Sequence, residues 1–284
     1  MEDTILKIAV TGPRGRLGQE LLALSDEFVE CEADITDFDG LEYELNEINP
    51  DALVNCAAFT DVDGAEEKLK YREAISVNTR GISNILEISW FPVVHISTDY
   101  VFDCRDGPYS EADVPKNPVN AYGYSKWGGE IMCSLHQEAR KPVTIVRTTG
   151  LFGGISGKPD FVSAVLSHLE EGKVFVATLE LRGNQTYTPF LAEGILKYIK
   201  SGHRYDVLHI ASGDIITRAD FAVRIAERFG YDTDLISTAF NYEIPNWKAN
   251  RPSYGGLCTD RAGDFGVPIY STAEGLDAYF QAKS

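Results

Sequence analysis

Short, continuous apolar runs alternate with longer stretches of helical periodicity through the first half of the chain. Residues 6–10 read as a strand, followed by a glycine-rich turn and a helix over about 17–24. A short strand is expected at 27–31, a helix at 41–48 and a strand at 52–56. The helix must stop at Asn49-Pro50, because proline has no amide hydrogen and its ring clashes with the preceding turn. Residues 66–90 are helical over most of their length, 93–97 form a strand, 122–140 a helix and 143–147 a strand. These strands are apolar at successive rather than alternate positions, the mark of a parallel sheet covered on both faces. Right-handed crossovers then give an α/β fold, a doubly wound parallel sheet of Rossmann type.

The pattern changes after Arg147. Gly150, Gly153, Gly154 and Gly157 mark loops, and mixed short elements follow. A strand is expected at 207–210 and a helix at 218–229, with a loop rich in Pro, Asn and aromatics beyond it. Residues 1–149 therefore read as a dinucleotide-binding domain that a late strand near 207–212 rejoins. Residues 150–284 read mostly as a smaller, interleaved α+β substrate-binding part.

The turn after the first strand is Thr11-Gly12-Pro13-Arg14-Gly15-Arg16-Leu17-Gly18. Gly12 allows the tight turn, Gly15 lets the backbone approach a pyrophosphate, and Gly18 lets the helix pack close to the sheet. The pyrophosphate then meets the positive end of the helix that Leu17 opens. Cofactor choice stays open between NADPH and NADH. Glu30 and Glu32 near the second strand favour a ribose diol, whereas Arg14 and Arg16 offer partners for a 2′-phosphate.

Tyr122 and Lys126 stand four residues apart at the start of a helix, which puts them on one face. An ammonium beside a phenol stabilises the phenolate, so the Tyr122 pKa is expected to fall from about 10 toward working pH. Such a phenol donates its proton to a developing alkoxide. Thr98, at the C-terminal end of a parallel strand, adds a hydroxyl where substrates bind in such sheets. The three are the candidate catalytic residues.

Composition narrows the partners. The net charge of −17 over 284 residues provides no basic face for nucleic acid or for anionic lipid. Five cysteines, odd in number and without a CxxC pair, argue against a disulfide framework or a zinc site, and for reduced thiols in the cytoplasm. Glu2 and Asp3 replace the basic start of a signal peptide, and no stretch is long enough to span a membrane. His136, His168, His203 and His209 lack metal-ligand spacing, and no metal is expected.

Several runs together resemble an extended short-chain dehydrogenase/reductase, most closely the dTDP-4-dehydrorhamnose reductase family. They include Gly12 to Gly18, Asp34-Ile35-Thr36-Asp37, Ala57-Ala58-Phe59-Thr60-Asp61-Val62-Asp63, Val77-Asn78 and Thr98-Asp99-Tyr100-Val101-Phe102. Pro118 to Lys126, Gly129-Glu130, Arg147-Thr148 and Arg251-Pro252 extend the likeness across nearly the whole chain. The resemblance implies that Asp34 and Ile35 contact the adenine end of the cofactor. It implies that Ala57, Ala58 and Phe59 line the path to the nicotinamide ribose, with Asn78 supporting the site. Thr60, Val62, Asp99 and Tyr100 would face a sugar, and Arg251 a nucleotide diphosphate. The implied reaction is reduction of a nucleotide-linked 4-keto-6-deoxy sugar, in a homodimer.

Three departures bear on the substrate. The family carries Trp where this chain has Gly150, its Asp-Gln-x-Gly-x-Pro-Thr segment is altered over residues 181–187, and Cys104 stands where glycine is usual. Two rival readings follow. One is a nucleotide-sugar dehydratase or epimerase, with Cys104 or His95 as base, although no Glu follows Asp99 as in the dehydratases. The other is a non-catalytic, cofactor-binding regulatory subunit resembling the methionine adenosyltransferase β subunit. Trp247 and Tyr254, which flank Arg251, are read as lid or core rather than as a platform for a base.

Overall fold

Neighbouring residues of one strand enter different cores. Ile8 and Val10 pack into one apolar cluster and Ala9 into another, each fully buried. The computed structural model describes residues 6–139, 141–244, 247–264 and 266–283. Glu2 and Asp3, and the expected helix end at Arg140, lie outside the described residues. In chain order the first half holds β1 (Ile8–Thr11), α1 (Arg16–Leu24), β2 (Phe28–Cys31), α2 (Phe38–Ile48) and β3 (Ala52–Asn55). It continues with α3 (Lys68–Ile75), α4 (Ile82–Ile88), β4 (Val93–Thr98), α5 (Ala121–Glu138) and β5 (Val143–Thr148). The second half holds α6 (Phe161–Glu170), β6 (Phe175–Thr178), β7 (Arg182–Gly183), α7 (Thr188–Ser201) and β8 (Val207–His209). After these come β9 (Ile216–Thr217), α8 (Arg218–Phe229), β10 (Ile236–Ala239), α9 (Asp260–Gly263) and α10 (Thr272–Lys283).

Six strands form one sheet in the order β2-β1-β3-β4-β5-β8, every pair parallel. One face buries Ile8, Val10, Val54, Val94, Val146 and Leu208 against Leu17 and Leu21 of α1 and Leu191, Ile195 and Tyr198 of α7. The other face buries Ala9, Leu53, Val93 and Ile145 against Leu41 and Leu45 of α2, Ile82 and Ile85 of α4, and Cys133 of α5. This explains the unbroken apolar strands: both faces of each strand leave water. The late strand expected at 207–210 is β8, paired with β5 at the sheet edge, and α7 returns with it to cover the sheet beside α1. A third cluster joins α6, α8 and α10 around Phe152, Phe221 and Leu276.

Two local differences from the sequence pattern have physical causes. The helix α2 starts at Phe38, before the apolar periodicity does, and ends at Asn49 in the left-handed region (φ 48°) before Pro50. The expected helix over 66–90 is interrupted by a π turn at Ser76–Gly81, which hydropathy cannot register because it alters hydrogen bonding and not polarity. Among the described residues no helix is long and apolar enough to cross a membrane.

Candidate active site

The chain order of the strands reverses between β1 and β3, and the crevice at their C-terminal ends is where such sheets bind ligands. Here the two backbones almost touch. A Cβ on Gly12 (φ +64°) would lie 2.6 Å from the Ala57 nitrogen, so only glycine fits. A Cβ on Gly18 would lie 2.4 Å from the Gly12 carbonyl, which makes Gly18 a packing glycine rather than part of the crevice wall. Gly15 precedes α1 and no side chain caps that helix, so its first amides face the crevice without an internal acceptor.

Two adjoining cavities open from this point. The smaller, about 370 Å³, is lined by Gly12, Arg14, Gly15, Glu32, Asp34, Ile35, Ala57 and Ala58 among others. These observations fit the adenosine and pyrophosphate of a dinucleotide: a glycine cradle, open helix amides, and an acidic rim. The rim carries a feature that bears on cofactor choice. Arg14 Nη2 pairs with Glu32 Oε1 at 2.7 Å, both side chains exposed. Arg16, the other candidate for a 2′-phosphate, is engaged elsewhere. It donates to the carbonyls of Gly153 (2.6 Å), Lys158 (2.5 Å) and Pro159 (3.1 Å) and to Asp160 Oδ2 (3.1 Å), fastening that loop beside the glycine turn.

The larger cavity, about 600 Å³, gathers residues that lie far apart in the chain. Its walls include Gly15, Arg16, Leu17, Ala58, Thr60, Val62, Thr98, Asp99, Tyr100, Tyr122 and Lys126, all expected from the sequence. Asn78 and Phe59 stand behind the wall rather than in it. The buried Asn78 amide accepts from the Phe59 amide (2.9 Å) and donates to the Phe59 carbonyl (3.0 Å) and to Ser125 Oγ (2.8 Å). Asn78 lies in the π turn, so the irregular turn ties the loop after β3 to the first turn of α5. That first turn is capped by Asn120, whose Oδ1 accepts from the Gly123 amide at 2.8 Å.

The Lys126 ammonium is buried and donates to the Ile96 carbonyl at 2.7 Å. Burial lowers its pKa to about 8, against the opposing charge of Glu130. Glu130 in turn accepts from Ser97 Oγ (2.6 Å) and from Arg147 Nε (2.9 Å) and Nη2 (2.8 Å), all of them buried. The Tyr122 phenol does not follow the sequence expectation. Desolvation, with the nearby Tyr100 and Asp99, pushes its pKa above the usual phenol range, and only a hydrogen bond with Thr98 opposes this. The expected fall is absent because the Lys126 charge is turned to the Ile96 carbonyl and is not among the influences on the phenol. Buried Asp99 is also raised, by desolvation, although Thr149, the Gly256 amide and Thr98 hydrogen-bond to it.

Arg251 departs from its expected place. It is not in the cavity wall: its guanidinium pairs with Asp63, donates to the Ala249 carbonyl at 3.0 Å and lies 4.7 Å over the Trp247 ring. A surface carboxylate and an aromatic platform hold it, leaving the diphosphate assignment without geometric support. The two candidate epimerase bases also fall outside the wall. Cys104 is buried beneath Asp99 with its thiol pushed up by desolvation, and His95 is buried beside Asn55, held neutral by desolvation.

Other lining residues were not among the site residues expected from the sequence: Cys56, Thr148, Thr149, Lys158, Gln185 and Arg218. Thr148 and Thr149 carry a signal, since Thr148 ends β5 just as Thr98 ends β4 and Thr149 follows it. Gln185 lies in the altered segment 181–187 and Arg218 opens the helix expected over 218–229, but neither pattern points to a ligand.

Sequence comparison matches residues 6–283 to a family described as RmlD substrate binding domain. The chain is 32% identical over 293 residues to the spore coat polysaccharide biosynthesis protein SpsK of Bacillus subtilis, covering 98% of each. It is 32% identical to a dTDP-4-dehydrorhamnose reductase of Mycolicibacterium smegmatis, covering 95% of this chain and 84% of that protein. The crystal structure of dTDP-4-dehydrorhamnose reductase from Bacillus anthracis in complex with NADP superposes with a TM-score of 0.89 at 27% identity, covering 98% of this chain and 99% of that one.

Proposed function

The chain belongs to the RmlD substrate-binding-domain family, and from that membership and the cavity we propose that it is an NADPH- or NADH-dependent reductase of a nucleotide-linked keto sugar. The finer reading is reduction at C4 of a 4-keto-6-deoxy sugar, as the names of its relatives suggest. The observation that carries it is the presence of Thr98, Tyr122 and Lys126 in one wall of a cavity that also reaches Gly15 at the glycine turn.

A bound reduced nicotinamide would supply hydride to the keto carbon. The protein's part is the proton. With its pKa raised, Tyr122 is fully protonated at neutral pH and meets the carbonyl as an acid. As the oxygen gains charge it becomes far more basic than a phenolate, and proton transfer from Tyr122 runs downhill. Thr98, bonded to that phenol, orients it and offers a second hydroxyl to the developing oxyanion. Lys126 keeps a positive charge below about pH 8 and, bonded to the Ile96 carbonyl, fixes α5 against β4 so that Tyr122 stands beside Thr98. Cys104 and His95 lie outside the wall, which disfavours the epimerase reading.

The test is oxidation of NADPH and NADH by the purified chain with 4-keto-6-deoxy nucleotide sugars, followed by loss of reduced-nicotinamide absorbance and by product analysis. Turnover with none of them, in protein that binds cofactor, would favour the regulatory-subunit alternative.

A further inference from the structure

Four buried side-chain polar atoms lack a hydrogen-bond partner among the described residues: His95 Nε2, Thr148 Oγ1, Gln185 Oε1 and Arg218 Nη1. Three of those four residues, Thr148, Gln185 and Arg218, line the large cavity. A polar group taken out of water and left unpaired carries its whole desolvation cost, so folded proteins retain few of them. Their concentration in one cavity points to a ligand that completes them.

Each is held in place by the fold. The Gln185 amide nitrogen donates to the Gly183 carbonyl at 3.1 Å. Its oxygen fills the space beside Gly150, where a Cβ would lie only 2.9 Å from it. Thr148 closes β5, one residue from the Thr149 that bonds Asp99. Arg218 opens α8 with its guanidinium 4.4 Å over the Phe161 ring, which itself stacks on Phe221. Among the described residues no carboxylate lies within ion-pair distance of it. The two that act on it from further off are engaged: Asp99 by Thr149 and the Gly256 amide, Asp160 by Arg16 and the Ser163 amide.

We propose that Arg218, Gln185 and Thr148 form a ligand-binding site within this cavity, Arg218 taking an oxyanion and the other two taking hydroxyl groups. A guanidinium fixed on an aromatic ring with a free donor matches an oxyanion, whereas an amide oxygen selects a hydroxyl donor. Arg182 and Lys158 extend the positive lining. Arg218 thereby supplies what Arg251, tied to Asp63, does not. The proposal rests on the reductase reading for the ligand's class, a sugar nucleotide. The oxyanion then comes either from the diphosphate bridge or from a carboxylate on the sugar.

Calorimetric titration of the full chain with thymidine diphosphate and, separately, with glucuronate tests this without any turnover. Arg218→Met should weaken at least one of the two at least tenfold, and Arg218→Lys should restore part of the loss. Loss confined to thymidine diphosphate assigns the diphosphate, and loss confined to glucuronate assigns a sugar carboxylate. Gln185→Leu should weaken glucuronate binding, if that anion binds, and otherwise the binding of a thymidine diphosphate sugar relative to thymidine diphosphate itself. Unchanged melting temperatures separate these losses from misfolding. If wild-type protein binds neither anion, or Arg218→Met binds both as wild type does, the proposal is overturned. Normal anion binding dependent on Arg218 without reduction of any keto sugar would defeat the reductase reading while this site stands.

Discussion

Lys126 Nζ donates 2.7 Å to the carbonyl of Ile96, two residues before Thr98 on the same strand. One ammonium thus ties the helix that carries Tyr122 to the strand that carries Thr98. It holds the two hydroxyl-bearing residues in one wall while retaining a charge of its own. The charge is held weakly, because burial has lowered its pKa to about 8.

Turnover is therefore expected to have an alkaline limit. Below about pH 8 the ammonium is present, and above it the charge is lost, so kcat should fall on the basic side near that pH. Glu130 raises the Lys126 pKa, and Glu130→Gln should move the limb to lower pH. A rate profile that stays flat from pH 7 to about 9.5 would count against a role for this charge.

Tyr122→Phe removes the proposed proton donor and little else, since the ring remains against Tyr100 at 5.8 Å. The expected loss in kcat is about 10²–10⁴-fold. Cofactor affinity, measured by fluorescence titration, should change by less than about twofold, because general-acid action and ground-state binding are separate contributions. Full activity in this variant would refute the assignment.

Arg147 and Glu130 form a bidentate pair, each about 2–4% exposed. Arg147→Ala strands a buried carboxylate and should lower stability by about 3–5 kcal/mol in urea unfolding. Replacing both with apolar residues of similar volume should recover much of that, since neither charge is then left alone.

Arg16 holds the loop 153–160 by four bonds, and that loop contributes Lys158, Pro159 and Asp160 to the cavity. Arg16→Ala should free it. Hydrogen exchange across 153–160 should accelerate, with a rise in KM larger than the fall in kcat. Unchanged exchange would mean that other contacts fasten the loop.

The exposed Arg14–Glu32 pair puts a carboxylate at the rim of the smaller cavity beside an arginine. Glu32→Gln removes the repulsion toward a 2′-phosphate and releases Arg14. The ratio of kcat/KM for NADPH over NADH should rise several-fold, and Arg14→Ala should lower it. The effect should shrink at high salt, as surface charge does.

Much of this molecule was legible in the amino-acid order. Unbroken apolar strands and the glycine turn specify a doubly wound sheet, because burial on two faces and close backbone approach leave direct marks on residue type. Tyr122, Lys126 and Thr98 were legible because two share a helix face and the third ends a strand. The second half was legible only in part: its strand at 207–210 and helix at 218–229 stand as β8 and α8, but the residues it brings to the cavity were not foreseen. Arg218, at the start of α8, and Gln185, in the loop before α7, lie far apart in the chain and meet only through the docking of those two segments. Ionisation was also decided by the tertiary structure. A spacing of four residues says that Lys126 and Tyr122 are neighbours, but the direction of a pKa depends on desolvation and on where a flexible ammonium finds its acceptor. The Ile96 carbonyl and the Arg251–Asp63 pair are such acceptor choices, set by packing across the whole fold and written at no single position of the chain.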